Sequence, residues 1–189
     1  MKHKIAVFAS GNGSNFQAII DAIGRREINA SVVLMVCDQP DAPVIGRAAR
    51  AGVPLLVVRR RDFPDKRAFE ARILAACREA AVDFIFLAGY MRLLGKTLLN
   101  AYPHRIVNIH PALLPSFTGL DAIGQALRKG VKITGVTIHY VDEGMDSGPI
   151  IAQAAVPVKD HDTLATLEAR IHQTEHRLYP QTIAKLLTD

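Results

Sequence analysis

Only two cysteines, Cys37 and Cys77, occur in the 189 residues, too few for a disulfide framework. They stand in a strand-like and a helix-like apolar run, in no CxxC or other metal-type spacing, and read as reduced core thiols of a cytoplasmic protein. No apolar run approaches the roughly 18 residues of a membrane span, so no membrane role is expected. Met1 to Ala9 holds only about five apolar residues after its basic start, too few for a signal-peptide core. Internal repeats, linkers and low-complexity segments are also missing, which argues for one domain over residues 1–189. The net charge of +5 is scattered rather than gathered into a Lys/Arg tract with interleaved aromatics. Nucleic acid is therefore not an expected partner, and a small anionic substrate suits the charge as well. The one basic cluster, Arg59-Arg60-Arg61, reads more readily as a solvated loop than as a binding patch.

What the chain does contain is 49% hydrophobic residues, enough for a substantial core. Short apolar runs alternate with helical patterns. Strands are expected at Lys4 to Ala9, Ser31 to Cys37, Pro54 to Val58, Asp83 to Ala88 and Arg105 to His110. Helices are expected near Asn15 to Arg25, Val44 to Ala51 and Asp65 to Ala80. Continuously apolar strands fit a parallel sheet covered on both faces, so the βαβαβ pattern predicts an α/β, doubly wound, Rossmann-like fold. Beyond His110 a proline-bounded loop, Pro111 to Thr118, leads to a helix over Leu120 to Lys129. Two further strands, Ile133 to Val141 and Ile150 to Val158, are joined by an acidic turn too short for a parallel crossover, so they form an antiparallel pair. A final helix starts near Thr163, with Pro180 a candidate break.

Asn108 and His110 share one face of their strand, roughly 6.5 Å apart. Pro111 ends the ladder, which puts His110 at the strand's carboxyl end, where open α/β sheets place ligands. A lone histidine is usually a satisfied core residue; here the neighbouring amide and the acidic turn weaken that view. Asp146, in the glycine-flanked turn, is placed to fold back beside His110, favour its charged form and raise its pKa. Asn108 is then free to donate to a developing oxyanion, an interaction whose loss typically costs roughly 100- to 1000-fold in turnover. Asp142, Glu143 and Asp146 lack the spacing of a calcium loop, and no metal is expected. No Ser or Cys stands in a nucleophile elbow.

The loop Ser10-Gly11-Asn12-Gly13-Ser14-Asn15 follows the first strand and opens a helix, the arrangement of an anion site. Phe16 stands where a dinucleotide fingerprint needs its third glycine, although Asp38 mimics the ribose-binding acid of that fold. A single phosphate is favoured over a dinucleotide, and a plain turn capped by Ser14 is the structural alternative. In the last helix Leu164, Leu167, Ile171, Glu175 and Leu178 form a stripe that Glu175 interrupts. That acid either pairs with an arginine or binds a donor group on a ligand.

SGNGSN (Ser10 to Asn15), AGYMRLL (Ala88 to Leu94), NIHPALLPSFTG (Asn108 to Gly119), GVTIHYVDEGMDSGPII (Gly135 to Ile151) and QTEHRLYP (Gln173 to Pro180) follow in order. Together they resemble the phosphoribosylglycinamide formyltransferases, folate-dependent enzymes of purine synthesis, over essentially the whole length. The resemblance implies the formyltransferase fold. It also implies formyl transfer from 10-formyltetrahydrofolate to the amine of glycinamide ribonucleotide by direct attack, in a monomer or homodimer. Asn108, His110 and Asp146 would be the catalytic trio, and Gly13, Ser14 and Asn15 would hold the phosphate. Glu175 would contact the glycinamide ribosyl portion. Folate contacts would come from Lys66, Met91, Arg92, Leu93, Leu94, Asn108, Val141 and Asp142. A cis peptide before Pro115 is implied too. Asp121 and Ile123 replace histidines that the family often carries, and Lys66 replaces an arginine, keeping charge but losing bidentate geometry. Two other functions stay open: a formyltetrahydrofolate hydrolase with water as acceptor, and a non-catalytic nucleotide-binding module. The first has less reason for a phosphate loop; the second leaves the Asn108–His110 face unexplained.

Overall fold

Unbroken apolar runs become the middle of a single seven-stranded sheet. The computed structural model describes residues 2–188, and among these the strands are β1 (His3–Ala9), β2 (Ala30–Cys37), β3 (Leu55–Val57), β4 (Phe84–Leu87), β5 (Ile106–His110), β6 (Ile133–Tyr140) and β7 (Ile150–Pro157). Their order is β3-β2-β1-β4-β5-β6-β7. β1 to β5 pair in parallel, whereas β6 runs antiparallel to both β5 and β7. The doubly wound sheet with its C-terminal antiparallel pair is the expected fold. β3, at three residues, is shorter than the run Pro54 to Val58.

Side-chain alternation divides the core into two layers. Ile5, Val7 and Ala9 of β1 face α1 (Ser14–Gly24) and α6 (Leu164–Leu186) through Phe16, Ile19, Leu167, Ile171 and Ile183. Ala6 and Phe8 face α3 (Lys66–Glu79) and α4 (Lys96–Ala101) through Phe69, Ile73, Cys77 and Leu98. Both cysteines are free and buried, and burial pushes the Cys77 thiol up to about 12. The remaining helices, α2 (Val44–Arg50) and α5 (Ala122–Lys129), join the first of these layers through Val44, Ala48 and Ile123. The chain winds from β1 to β2 and β3 on one side, then returns to β4 on the other. The carboxyl ends of β1 and β4 therefore bound a topological switch point, where such sheets open a crevice. Bonds from Ser10 N to Gly89 O (3.0 Å) and from Met91 N to Ser10 Oγ (2.9 Å) tie the two loops across it.

Several local expectations are corrected. The short helix α4 was not legible, because its six residues span too few turns to show a period. α6 continues through Pro180 to Leu186 without a break. Proline there removes one helix bond at a cost of about 3 kcal/mol. Buried anchors on both sides offset it: Tyr179, wholly buried, before it, and Ile183 one turn after. The buried stripe of α6 also differs, running through Leu167, Ile171, Glu175 and Tyr179, while Leu164 is exposed and Leu178 half-buried. The basic run is partly engaged: Arg59 Nε pairs with Asp62 at 2.7 Å and Arg60 donates to Phe63 O. As implied by the family resemblance, the Leu114–Pro115 peptide is cis.

Tyr179 reaches from α6 into the sheet, its hydroxyl lying 2.8 Å from Leu87 O of β4 and 3.1 Å from Val107 O of β5. Replacing it by phenylalanine keeps the packing and removes only this shared donor. Tyr179→Phe is expected to lose about 1–2 kcal/mol of unfolding free energy in urea titration; an unchanged midpoint would mean that the tether adds nothing to stability.

Candidate active site

At the switch point the structure opens a cleft of about 880 Å3, within the size range of small-molecule sites. Gly13, Ser14, Asn15, Met91 to Leu94, Asn108, His110, Val141, Asp142, Asp146 and Glu175 all line it, although they come from five separate segments of the chain. Lys66 is not brought there. It starts α3, and its amine lies 3.9 Å from the buried Glu70 carboxylate, which also accepts from Gly95 N at 2.6 Å.

The glycine loop owes its shape to Gly13, whose φ of 79° is left-handed and whose missing Cβ would collide with the Val44 side chain of α2. Gly13, not Ser14, is the N-cap of α1, and no side chain caps the helix. The amides of the first turn consequently keep their hydrogens for an external acceptor, with the helix dipole behind them. Arg47 fixes the loop from α2, donating to Asn12 O and Asn12 Oδ1 at 2.8 Å each. Asp38 does not act as a ribose acid. It is buried, paired with Arg92 Nε at 2.6 Å, and accepts from Ser10 Oγ at 2.6 Å and Gln39 Nε2 at 3.2 Å. The Arg92 guanidinium, which also lies over the Phe69 ring at 5.7 Å, is committed to this pair. What Arg92 offers the cleft is its backbone.

At the sheet's edge, the β5–β6 register sets Asn108 opposite His139 and His110 opposite Thr137. His139 Nδ1 faces Tyr140 O at 2.8 Å and so carries the hydrogen, which leaves Nε2 to accept from Asn108 Nδ2 at 3.2 Å. Burial lowers the His139 pKa, against the opposing pulls of Tyr140 O and Asp146, in keeping with a neutral ring. His139 thus fixes which way the Asn108 amide points and leaves its second N–H free. His110, buried, places Nδ1 3.5 Å from Asp146 Oδ2, and its Nε2 donates to Phe117 O at 2.8 Å. Asp146 holds a left-handed backbone (φ 53°) and also accepts from Gly119 N at 2.7 Å, which joins the acidic turn to the loop after His110. That loop is pinned from beneath by Thr137, whose hydroxyl donates to Ala112 O and accepts from Leu114 N and Gln153 Nε2.

Across the cleft, Glu175 is buried and among the described residues no arginine pairs with it, so the arginine pairing considered from the sequence is corrected. Its Oε2 accepts from Asn15 Nδ2 at 3.1 Å and from His172 Nδ1 at 2.8 Å. The carboxylate of Glu175 raises the His172 pKa through that bond, opposed by burial and aided by Glu168. His172 stacks on His176 at 6.1 Å between ring centres. His139 and His172 are site residues that the motif reading missed. Thr137 and His139 are two polar residues two apart in an apolar strand, the same signal that marked Asn108 and His110. His172 stands one helical turn before Glu175, where a partner was to be sought.

Comparison with known proteins agrees with this geometry. The formyl transferase family matches residues 3–183. The chain is 54% identical over 184 residues to the phosphoribosylglycinamide formyltransferase of Bacillus subtilis (strain 168), covering 97% of this chain and 94% of that one. The crystal structure of glycinamide ribonucleotide transformylase 1 from Geobacillus kaustophilus superposes with a TM-score of 0.97 at 57% identity, covering 99% and 100% of the two chains. That of the Bacillus halodurans phosphoribosylglycinamide formyltransferase gives 0.96 at 51%, covering 98% and 96%. A family match over nearly the whole length, together with the cleft it encloses, makes this chain a member of the formyl transferase family.

Proposed function

We propose that the chain transfers the formyl group of 10-formyltetrahydrofolate to the primary amine of 5'-phosphoribosylglycinamide, giving formylglycinamide ribonucleotide and tetrahydrofolate. The observation that carries this reading is the row of functions along one cleft. An anion cradle stands at Gly13 to Asn15 and a buried acid at Glu175, with Asn108, His110 and Asp146 at the sheet edge. Among the described residues, five of the nine exposed large hydrophobic side chains, Met91, Leu93, Leu120, Met145 and Leu164, also line that cleft. An exposed apolar lining of this kind suits a flat ring system such as a pterin.

In this reading the phosphate lies on the first-turn amides of α1, and Glu175 Oε1, which makes no hydrogen bond among the described residues, accepts from the ribosyl glycinamide. The folate ring lies along Met91 to Leu94 and the Val141–Asp146 turn. The amine nitrogen attacks the formyl carbon, a C–N bond forms and the formyl oxygen becomes an oxyanion. The free N–H of Asn108, aimed by His139, donates to that oxygen. His110 donates to it as well, exchanging Phe117 O for the new acceptor, and the Asp146 carboxylate balances the imidazolium. The amine then gives up a proton, the departing folate nitrogen gains one, and the C–N bond to the folate breaks. The test is loss of the formyl group from 10-formyltetrahydrofolate with and without glycinamide ribonucleotide. Loss that requires the ribonucleotide supports transfer; loss without it indicates hydrolysis, and no loss in either case indicates a binding module.

Two variants test the residues. Asp146→Asn keeps a side chain that tolerates the left-handed backbone but removes the charge. Its kcat is expected to fall about 100-fold or more, with the KM for the ribonucleotide changed by less than roughly threefold. Near-normal turnover would dismiss the His110–Asp146 pair. Glu175→Ala is expected to raise the ribonucleotide KM about tenfold or more. It should also lower the His172 pKa, read by NMR titration, because the acceptor that holds the proton is gone. By linkage, the stability contributed by the His172–Glu175 pair is complete below roughly pH 6.5. It is lost as pH climbs through the raised folded value, so the wild-type advantage over Glu175→Ala should shrink as solutions become alkaline.

A further inference from the structure

Two buried carboxylates brace the loop between β4 and α4, whose Met91 to Leu94 form one wall of the cleft. Asp38 holds its first half, through Arg92 and through Ser10, whose Oγ accepts from Met91 N. Glu70 holds its end, and the chemistry proposed for the cleft makes no use of it. This acid projects from α3, is buried, and accepts from Gly95 N at 2.6 Å. Packing α3 against α4 needs no acid there, because Phe69, Ile73, Cys77 and Leu98 already form that layer. A carboxylate taken out of water is unfavourable unless it is well bonded, so the charge serves its hold on Gly95.

Gly95 is where the loop turns into α4, as the N-cap of that helix, and it has no side chain with which to cap it. A Cβ added at Gly95 would stand 2.9 Å from Glu70 Oε2 and 3.0 Å from Lys66 Cε. Loop backbone and carboxylate are thus in close contact, and the place of one sets the place of the other. Leu93 and Leu94, which line the cleft, directly precede Gly95, whereas neither Gly95 nor Glu70 lines it. The groups that face Glu70 are few. Lys66 lies 3.9 Å away on its own helix, and α4 presents the backbone N–H groups of Gly95 and Leu98. From the loop comes Tyr90, which also feels the Asp38–Arg92 pair and whose phenol burial holds above its ordinary pKa.

We propose that Glu70 is a positioning residue for the folate co-substrate: its carboxylate, bonded to Gly95 N, keeps the Met91–Leu94 wall in the form that receives the ring. The inference rests on the reading of the cleft as a folate site. A hydrogen bond to a charged acceptor is about twice as strong as one to a neutral acceptor. Neutralising Glu70 therefore lets the wall leave its place, and the KM rises as the competent fraction falls. Burial raises the Glu70 pKa, against the opposing pulls of Gly95 N, Lys66 and Leu98 N. As pH falls, protons consequently reach this acid before they reach an ordinary glutamate.

The test measures KM for 10-formyltetrahydrofolate and for glycinamide ribonucleotide in the wild type, Glu70→Gln, Gly95→Ala and the double variant. Glu70→Gln keeps the shape and removes the charge; its folate KM is expected to rise about fivefold. The ribonucleotide KM and the kcat at saturating folate should stay within about twofold. The ratio of variant to wild-type folate KM should be largest at alkaline pH and fall towards one as the wild-type carboxyl is protonated. Titrations of the ligand and of other groups are common to both proteins and cancel in that ratio. Gly95→Ala reaches the same contact from the loop side and should raise the folate KM similarly. Because both substitutions break one contact, the double variant should stay within about twofold of the worse single variant. Effects that multiply, a ratio that is flat with pH, or KM values for the two substrates that rise together would each overturn the proposal. Gly95→Ala leaves the acid in place, so an unchanged folate KM there overturns it even where Glu70→Gln does not fold. Failure of the wild type to use 10-formyltetrahydrofolate at all would instead overturn the folate reading itself.

Discussion

The reacting centre depends on the register of β5 against β6. Antiparallel pairing sets Asn108 beside His139 and His110 beside Thr137, and a one-residue slip of either strand would turn its two side chains to the opposite face, away from their partners. Two residues of one strand thereby meet two of the other, and each pair has a distinct task. His139 fixes the rotation of the Asn108 amide, while Thr137 holds the loop that carries Phe117 O to His110. Asp146 is added from outside the ladder, bound to Gly119 N and facing His110. The centre is a piece of sheet with one loop folded over it.

The carboxylates around the cleft divide by how fully they are already bonded. Asp38 accepts from a guanidinium, a hydroxyl and an amide, and works only inside the protein, bracing the loops after β1 and β4. Glu175 keeps one oxygen for Asn15 and His172 and leaves the other without a partner among the described residues. Such differences, more than acidity alone, separate a bracing acid from a ligand-binding one. They explain why Asp38, in the position of a ribose acid, is committed to partners inside the protein.

Much of the architecture was legible because local and global signals agree. Unbroken apolar strands, a glycine loop opening a helix and a turn too short for a crossover each permit few folds. The sheet-edge pair Asn108 and His110 was visible through simple alternation. Features set by partners distant in the chain were not. His139 acquires its role only from the β5–β6 pairing, which the spacing of Gly135 to Tyr140 does not express. Pro180 reads as a break until the burial of Tyr179 and Ile183 is known. The placement of Lys66 beside Glu70, away from the cleft lining, depends on how α3 packs over Gly95, a tertiary fact.

Tyr179 stands one helical turn after Glu175 on an unbroken α6, and its hydroxyl is bound between the two central strands β4 and β5. The acid on one wall of the cleft and the amide and imidazole on the other are thereby referred to the same rigid frame. The two walls belong to one cooperative unit, in which partial opening of one without the other is suppressed. The working geometry should persist almost unchanged on heating and then vanish together with the fold, so that loss of function and loss of structure become one event.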